Sequence, residues 1–202
     1  MTVYKTISRP SKSTYKQDGS TFLGIVEKID NVGDFRTHLK ANKVAHKSAS
    51  HVCSAYRIIK KGILQEKASD DGEPSGSAGR SILNESKRNN IVNVGLYVVR
   101  YFGGRKLGIP GLIHAYSETI KLAFLDNSLI EWEPSEKYIL NHSYSDIDYI
   151  DFLFKKYNII LCNRSFDLFV DSIVEVKDSL FDKFNDELIM KHLNHISLTK
   201  IK

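Results

Sequence analysis

The sequence predicts an α+β protein of two domains, and three observations carry that prediction. Strand-like and helix-like runs alternate along all 202 residues, a length comfortable for two domains and long for one. Beyond residue 136 the order reads strand, helix, strand, strand, helix, strand, the ferredoxin-like β-α-β-β-α-β pattern. The formal charge also changes sign along the chain. Residues 1–67 hold thirteen Lys and Arg against five acids, a net of +8. Residues 68–128 come to +1, and residues 129–202 hold nine cations against thirteen acids, a net of −4. The boundary is expected in Glu131–Ser135, EWEPS, with domains over 1–130 and 135–202.

Each element has a local reason. Residues 1–19 are rich in Lys, Ser and Thr and fit either a basic arm or one edge strand with a turn. Thr21–Ile29 has strand character, ended by the Asn31–Gly33 punctuation. Asp34 is expected to cap a short helix over 34–43, with Phe35 and Leu39 on one face at i, i+4. Ser50–Ile59 and Ile63–Lys67 follow as strands, then a loop, Ser69–Gly79, and a helix over Arg80–Arg88. Asn93–Phe102 is a strongly apolar strand. Pro110–Asp126 is a helix with Pro110 in its first turn. Its apolar stripe is Leu112, Ile113, Tyr116, Ile120, Ala123 and Phe124, opposite His114, Ser117, Glu118 and Lys121. The second domain places strands at Lys137–Tyr144, Ile159–Arg164, Leu168–Val176 and His195–Ile201, and helices at Asp148–Tyr157 and Ser179–Met190.

Composition narrows the setting. With 42% hydrophobic and 26% charged residues, the chain buries a core without staples. Cys53 and Cys162 lie far apart in apolar runs, as buried thiols of a reduced, cytoplasmic protein would. No run approaches the roughly 18 apolar residues of a membrane span, and the polar, basic first twenty residues are no secretory leader, so no membrane partner is expected.

Two mid-chain stretches carry the chemistry. In SDDGEPSGSAG, Asp70, Asp71 and Glu73 stand among Ser75, Ser77 and three glycines. They suit either a divalent-metal or phosphate site, or a rigid turn whose side chains cap the following helix. Bare carboxylates repel phosphate, so the anion version needs a metal between them; no metal ligand set and no cofactor is assigned. In VVRYFGGRKLGIPG, a strand runs into a basic, glycine-broken turn and a helix, an arrangement that leaves outward N–H groups for an anion. Arg100 either pairs with Asp70 or Asp71 or meets a phosphate. Tyr101 (with Phe102) offers a stacking face, Gly103 and Gly104 allow close approach, and Arg105 and Lys106 supply charge for a nucleic-acid backbone.

Catalytic templates are missing. There is no GxGxxG, the glycine turn lacks the Lys-Ser or Lys-Thr ending of a nucleotide loop, and His192 with His195 makes no HExxH. His51 and Cys53 share one strand face at i, i+2, which fits either a Cys–His pair or a buried thiol beside a capped histidine.

These residues support a name for the family. SDDGEPSGSAGRSIL followed by NVGLYVVRYFGGRKLGIPGLIHAYSETIKLAF closely resembles the IMPACT/YigZ family, with Asp70–Gly76, Arg100, Tyr101, Phe102, Gly103, Gly104, Leu107 and Gly108 on its signature. Arg105 and Lys106 fall where the signature is open. The resemblance implies an N-terminal α/β domain like the second domain of a small-subunit ribosomal protein, and a C-terminal ferredoxin-like domain like the last domain of elongation factor G. Eukaryotic members act in translational control by competing for an activator of a stress kinase, through an additional N-terminal domain for which this chain has no room. The expected function is therefore a translation-related binding protein that meets RNA or the ribosome, with no established catalysis. Two alternatives remain open. One is an enzyme acting on a phosphorylated small molecule or nucleotide, since the related small-molecule kinase fold also has a Pro-Ser-Gly loop before a helix, as Pro74–Gly79 does here. The other is a module that docks a protein partner through the acidic C-terminal domain.

Overall fold

Each unit of the chain is built on its own antiparallel sheet. The computed structural model describes residues 3–60, 62–190 and 196–201, and the chain divides into Met1–Trp132 and Glu133–Lys202. In the first unit the elements are β1 (Tyr4–Ile7), β2 (Ser11–Gln17), β3 (Ser20–Lys28), α1 (Val32–Ala45), β4 (His51–Lys60), β5 (Ile63–Ser69), α2 (Gly79–Arg88), β6 (Val94–Tyr101), α3 (Gly108–Leu125) and β7 (Leu129–Trp132). Five strands form a sheet in the order β2-β3-β6-β4-β5, while β1 and β7 pair as a separate ribbon.

Central β6 is buried from Val94 through Arg100. Helices cover both of its faces, so it reads as a continuous apolar run and not as an alternating one. On one face α2 and α3 pack Ile82, Leu112, Tyr116 and Ile120 against Phe22, Val26, Cys53, Leu96 and Val98. On the other, Phe35 of α1 joins Ile25, Ile29, Val52, Ile58, Tyr97 and Val99. Its ring stacks on Tyr97 at 5.3 Å between centroids.

Several expectations shift here. The basic arm of residues 1–19 supplies two strands, β1 and β2, and β2 holds its place because Ser11 and Ser13 donate hydroxyl hydrogen bonds to the carbonyls of Ala123 and Thr119 on α3. Asn31, not Asp34, caps α1. The Asn31 side chain accepts from the Asp34 N–H at 3.1 Å, and the Asp34 carboxylate reaches back to the Asp30 N–H at 3.0 Å. The Asn31 side-chain amide also donates to that carboxylate at 3.0 Å, so Asp34 ties down the two residues before the helix without taking the Asn31 main-chain N–H that a capping box would use. Ile113 leaves the predicted stripe and is 42% exposed, whereas Ser117 turns inward and donates to Glu85.

The second unit runs β8 (Ser135–His142), a single 3-10 turn at Tyr144–Asp146, α4 (Ile147–Lys156), β9 (Ile160–Phe166), β10 (Val170–Lys177), α5 (Asp178–Met190) and β11 (Ser197–Lys200). The predicted strand start at His195, and His192 with it, lie outside the described residues. Strand order is β11-β8-β10-β9, all antiparallel. Tyr138, Leu140, Val174 and Val176 on the inner strands meet Ile150, Leu153, Phe154, Phe184 and Leu188 from the helices. Cys162 is exposed, against the expectation of a buried thiol, because β9 is an edge strand with a register shift opposite Ile173/Val174. The expected linker shrinks to Glu133–Pro134, as Glu131 and Trp132 pair with β1 and Ser135 opens β8. Among the described residues no helix is long and apolar enough to cross a membrane.

Candidate functional site

The acidic loop between β5 and α2 sends its three carboxylates in three directions. Asp70 turns back on the loop and accepts main-chain N–H bonds from Gly76 at 2.8 Å, Ala78 at 3.0 Å and Gly79 at 2.8 Å. It thereby fills the anion-attracting start of α2 with the chain's own charge. Asp71 accepts from the Val52 N–H at 2.8 Å and pairs with Lys43 at 2.6 Å. Glu73 points inward and is 8% exposed. Ser75 is exposed, and Ser77 donates to the Pro74 carbonyl at 2.6 Å. Among the described residues no group of three or more His, Cys, Asp or Glu is disposed to hold a metal ion. The loop is a self-capped turn.

Burial alone would raise the Asp70 carboxyl, but the three N–H donors outweigh it and hold it below the ordinary 3.8. A depressed carboxyl contributes stability that is present above its unfolded value and is lost as pH falls through the folded one. Asp70→Asn is therefore expected to cost about 1 kcal/mol at neutral pH, the usual worth of a cap. The gap to wild type should close as urea unfolding is repeated below about pH 4. A gap that stays constant with pH would mean the ionised carboxylate contributes nothing.

Arg100, on β6, is 5% exposed, and its guanidinium donates to Glu73 Oε1 at 2.5 Å. The partner is Glu73, not the expected Asp70 or Asp71, because both of those carboxylates are already taken. Arg100 also lies over two rings, with Phe22 beneath at 5.4 Å and Phe102 at 5.5 Å. Of its two expected roles, it performs the anchoring one. Tyr116 of α3 donates to the same Glu73 oxygen at 2.8 Å. The Cys53 thiol donates to the Asp70 carbonyl at 2.9 Å and lies 3.3 Å from Tyr116 Oη. Burial, reinforced by the nearby carboxylates, pushes the Cys53 thiol up to about 12, so the thiolate needed for attack does not form near neutrality. His51 bonds separately to the Asp71 carbonyl at 2.8 Å, and no Cys–His pair forms.

The glycine corner is held from behind and open in front. A Cβ on Gly103 would fall 1.9 Å from the Gly19 carbonyl carbon, so only glycine lets the β2–β3 turn and this corner touch. Ser20 Oγ accepts from the Gly103 N–H at 3.2 Å, and Ser50 Oγ accepts from the Phe102 N–H at 3.2 Å. Tyr101, half-buried, bonds His46 at 2.8 Å and is tied to the end of α1. Gly104 takes a φ of +88° in open space. Arg105 is exposed, with a loose 3.6 Å approach to Asp18, and Lys106 is exposed. The two motifs thus meet through the Glu73–Arg100 pair, while Arg105 and Lys106 remain on the outside.

Tyr116 escaped the sequence analysis as a polar partner, since its i+4 spacing from Leu112 marks only a core stripe. The cations of α1 also escaped it, although Arg36, Lys40 and Lys43 recur at i, i+4 and i+7, a spacing legible once a helix is drawn.

Comparisons with known proteins fit this geometry. A family model for the Impact N-terminal domain matches residues 18–124, which include both motifs and strands β3 to β6 of the sheet that joins them. The IMPACT family member YvyE of Bacillus subtilis is 35% identical over 117 residues, 58% of this chain and 54% of that protein, so the match spans about half of that relative's length. An IMPACT family member of Haemophilus influenzae is 29% identical over 176 residues, 85% of this chain and 84% of its own. A crystal structure of a hypothetical protein shares the fold over 100% of this chain and 98% of its own, with a TM-score of 0.69 at 24% identity. With just over half of its residues under that family model, this chain belongs to the IMPACT family.

Proposed function

We propose that this protein is a translation-related regulatory factor of the cytoplasm that binds RNA, or a ribosome-associated partner, through the basic corner after β6. One observation carries the reading. Arg105, whose side chain is 79% exposed, and Lys106 stand on a loop whose base is fixed by the Gly103–Gly19 contact and the buried Glu73–Arg100 pair. Exposed cations on a rigid frame meet phosphates at little cost in ordering. The N-terminal unit would then be of the ribosomal-protein second-domain type. The strand order β11-β8-β10-β9 supports a ferredoxin-like reading of the second unit. Both types fit a role beside RNA by analogy.

The phosphorylated-substrate alternative is less favoured, because Asp70 already occupies the amides of Gly76, Ala78 and Gly79 that a phosphate would need. The protein-docking alternative keeps one observation in its favour: Phe166 and Leu168 are 60% and 86% exposed in the acidic second unit.

The test is a salt series. Arg105→Ala/Lys106→Ala is expected to weaken retention of single-stranded RNA and to reduce the slope of log K against log salt by about 1.4 for two lost contacts. An unchanged slope in the variant removes the corner from the interface. Capture of a protein partner that survives nuclease treatment and needs Phe166 and Leu168 would favour docking instead.

A further inference from the structure

We propose that the RNA site extends from the glycine corner along the outer face of α1, with the Phe102 ring as a shelf for one unpaired base between the two; this rests on the nucleic-acid reading above. Arg36, Lys40 and Lys43 recur on one side of α1, and Lys47 follows in the turn beyond its end. With Leu39 and Val44 they line a single shallow depression. From Arg36 to Lys43 the row covers about 10 Å of helix. The only acid on α1 is Asp34, and the cap consumes it. Lys43 pairs with Asp71, whereas Arg36, Lys40 and Lys47 have no acidic partner within ion-pair distance among the described residues. A row in which three of four cations lack a compensating acid is complementary to a row of phosphates.

The row leads to the corner. At the C-terminal end of α1, Lys43 reaches Asp71 at 2.6 Å and His46 bonds Tyr101 at 2.8 Å. Ser50, four residues on, accepts from the Phe102 N–H at 3.2 Å. The end of α1 and the start of the basic corner are therefore stitched together by side chains of consecutive turns.

Phe102 decides the kind of nucleic acid. The residue is 49% exposed, with the Arg100 guanidinium 5.5 Å from its ring centroid. Arg100 is in turn held by Glu73 and lies over Phe22, so the ring rests on a fixed support and cannot fold into the core. An aromatic face kept in water beside cations stacks on an unpaired base, which a duplex does not offer. The occupant is single-stranded RNA, its backbone on α1 and on Arg105–Lys106 and one base on Phe102.

The experiment measures fluorescence anisotropy of a labelled oligouridylate of about 20 nucleotides, longer than a typical single-strand site, across a salt series with the full chain. Arg36→Ala/Lys40→Ala/Lys47→Ala is expected to lower the salt slope by about 2 and to weaken binding at least tenfold near 0.1 M salt. Phe102→Ala should weaken binding by roughly tenfold with the slope unchanged, and Phe102→Trp should restore it. Wild-type binding with an unaltered slope in the α1 variant overturns the inference and leaves the corner reading standing. Equal competition by unlabelled RNA duplex overturns the single-strand assignment. Failure of wild type to bind the oligonucleotide at any salt sinks the inference together with the reading beneath it.

Discussion

Replacing Arg100 by Met is expected to destabilise the N-terminal unit by about 3–5 kcal/mol, a large share of a domain's whole stability. The substituted side chain is of similar length and still fills the space between Phe22 and Phe102, so little of the cost is a cavity. The cost comes from Glu73, 8% exposed, whose carboxylate keeps the Tyr116 hydroxyl at 2.8 Å but loses its only cationic partner among the described residues. Thermal unfolding should register this as a fall on the order of 10 °C. Converting both residues, Glu73→Gln with Arg100→Met, is expected to recover most of the loss, since a buried pair replaced as a unit is often near neutral. A single Arg100→Met variant within 1 kcal/mol of wild type would mean that water reaches the pair, and the rigid frame under Phe102 would have to be abandoned.

Gly103→Ala tests the other side of the frame. An added methyl would sit 1.9 Å from one Gly19 main-chain atom and 2.1 Å from the next, and neither can rotate away as a side chain would. Either the β2–β3 turn moves off the corner or the variant loses stability, by about 3 kcal/mol or more. Gly104→Ala, one residue on, meets nothing within 4 Å and carries only the strain of its φ of +88°. That is a cost of roughly 1–2 kcal/mol. The prediction is the contrast, measured by urea unfolding of both variants. Equal effects would show that φ alone governs the corner and that the Gly19 approach contributes nothing.

Much of the fold was legible because its signals are local. The continuous apolar run of Val94–Val99 marks a strand covered on both sides, and the order of elements after Ser135 follows from alternating periods and turn residues. The helix start at Asn31 was half legible: Asn31-x-x-Asp34 has the spacing of a capping box, and only the hydrogen bonds show that Asn31 is the cap and that Asp34 reaches the Asp30 N–H. Cys162 was misplaced since an apolar strand at a sheet edge reads the same as one at its centre. β1 and β7 were hard to see because they pair across almost the whole N-terminal unit.

The candidate site divides along the same line. Sequence by itself determined that an acidic Ser-Gly loop and a basic glycine corner exist, which family they belong to, and that both lead into helices. Periodicity, turn chemistry and residue type are properties of neighbours along the chain. Tertiary structure alone decided that Glu73, and neither Asp70 nor Asp71, meets Arg100, that Gly103 is pressed against Gly19, and that the end of α1 is tied to the basic corner through His46 and Tyr101. Those facts depend on which strands pair and which side chains have already been claimed by a nearer donor, and no spacing along one strand encodes that competition.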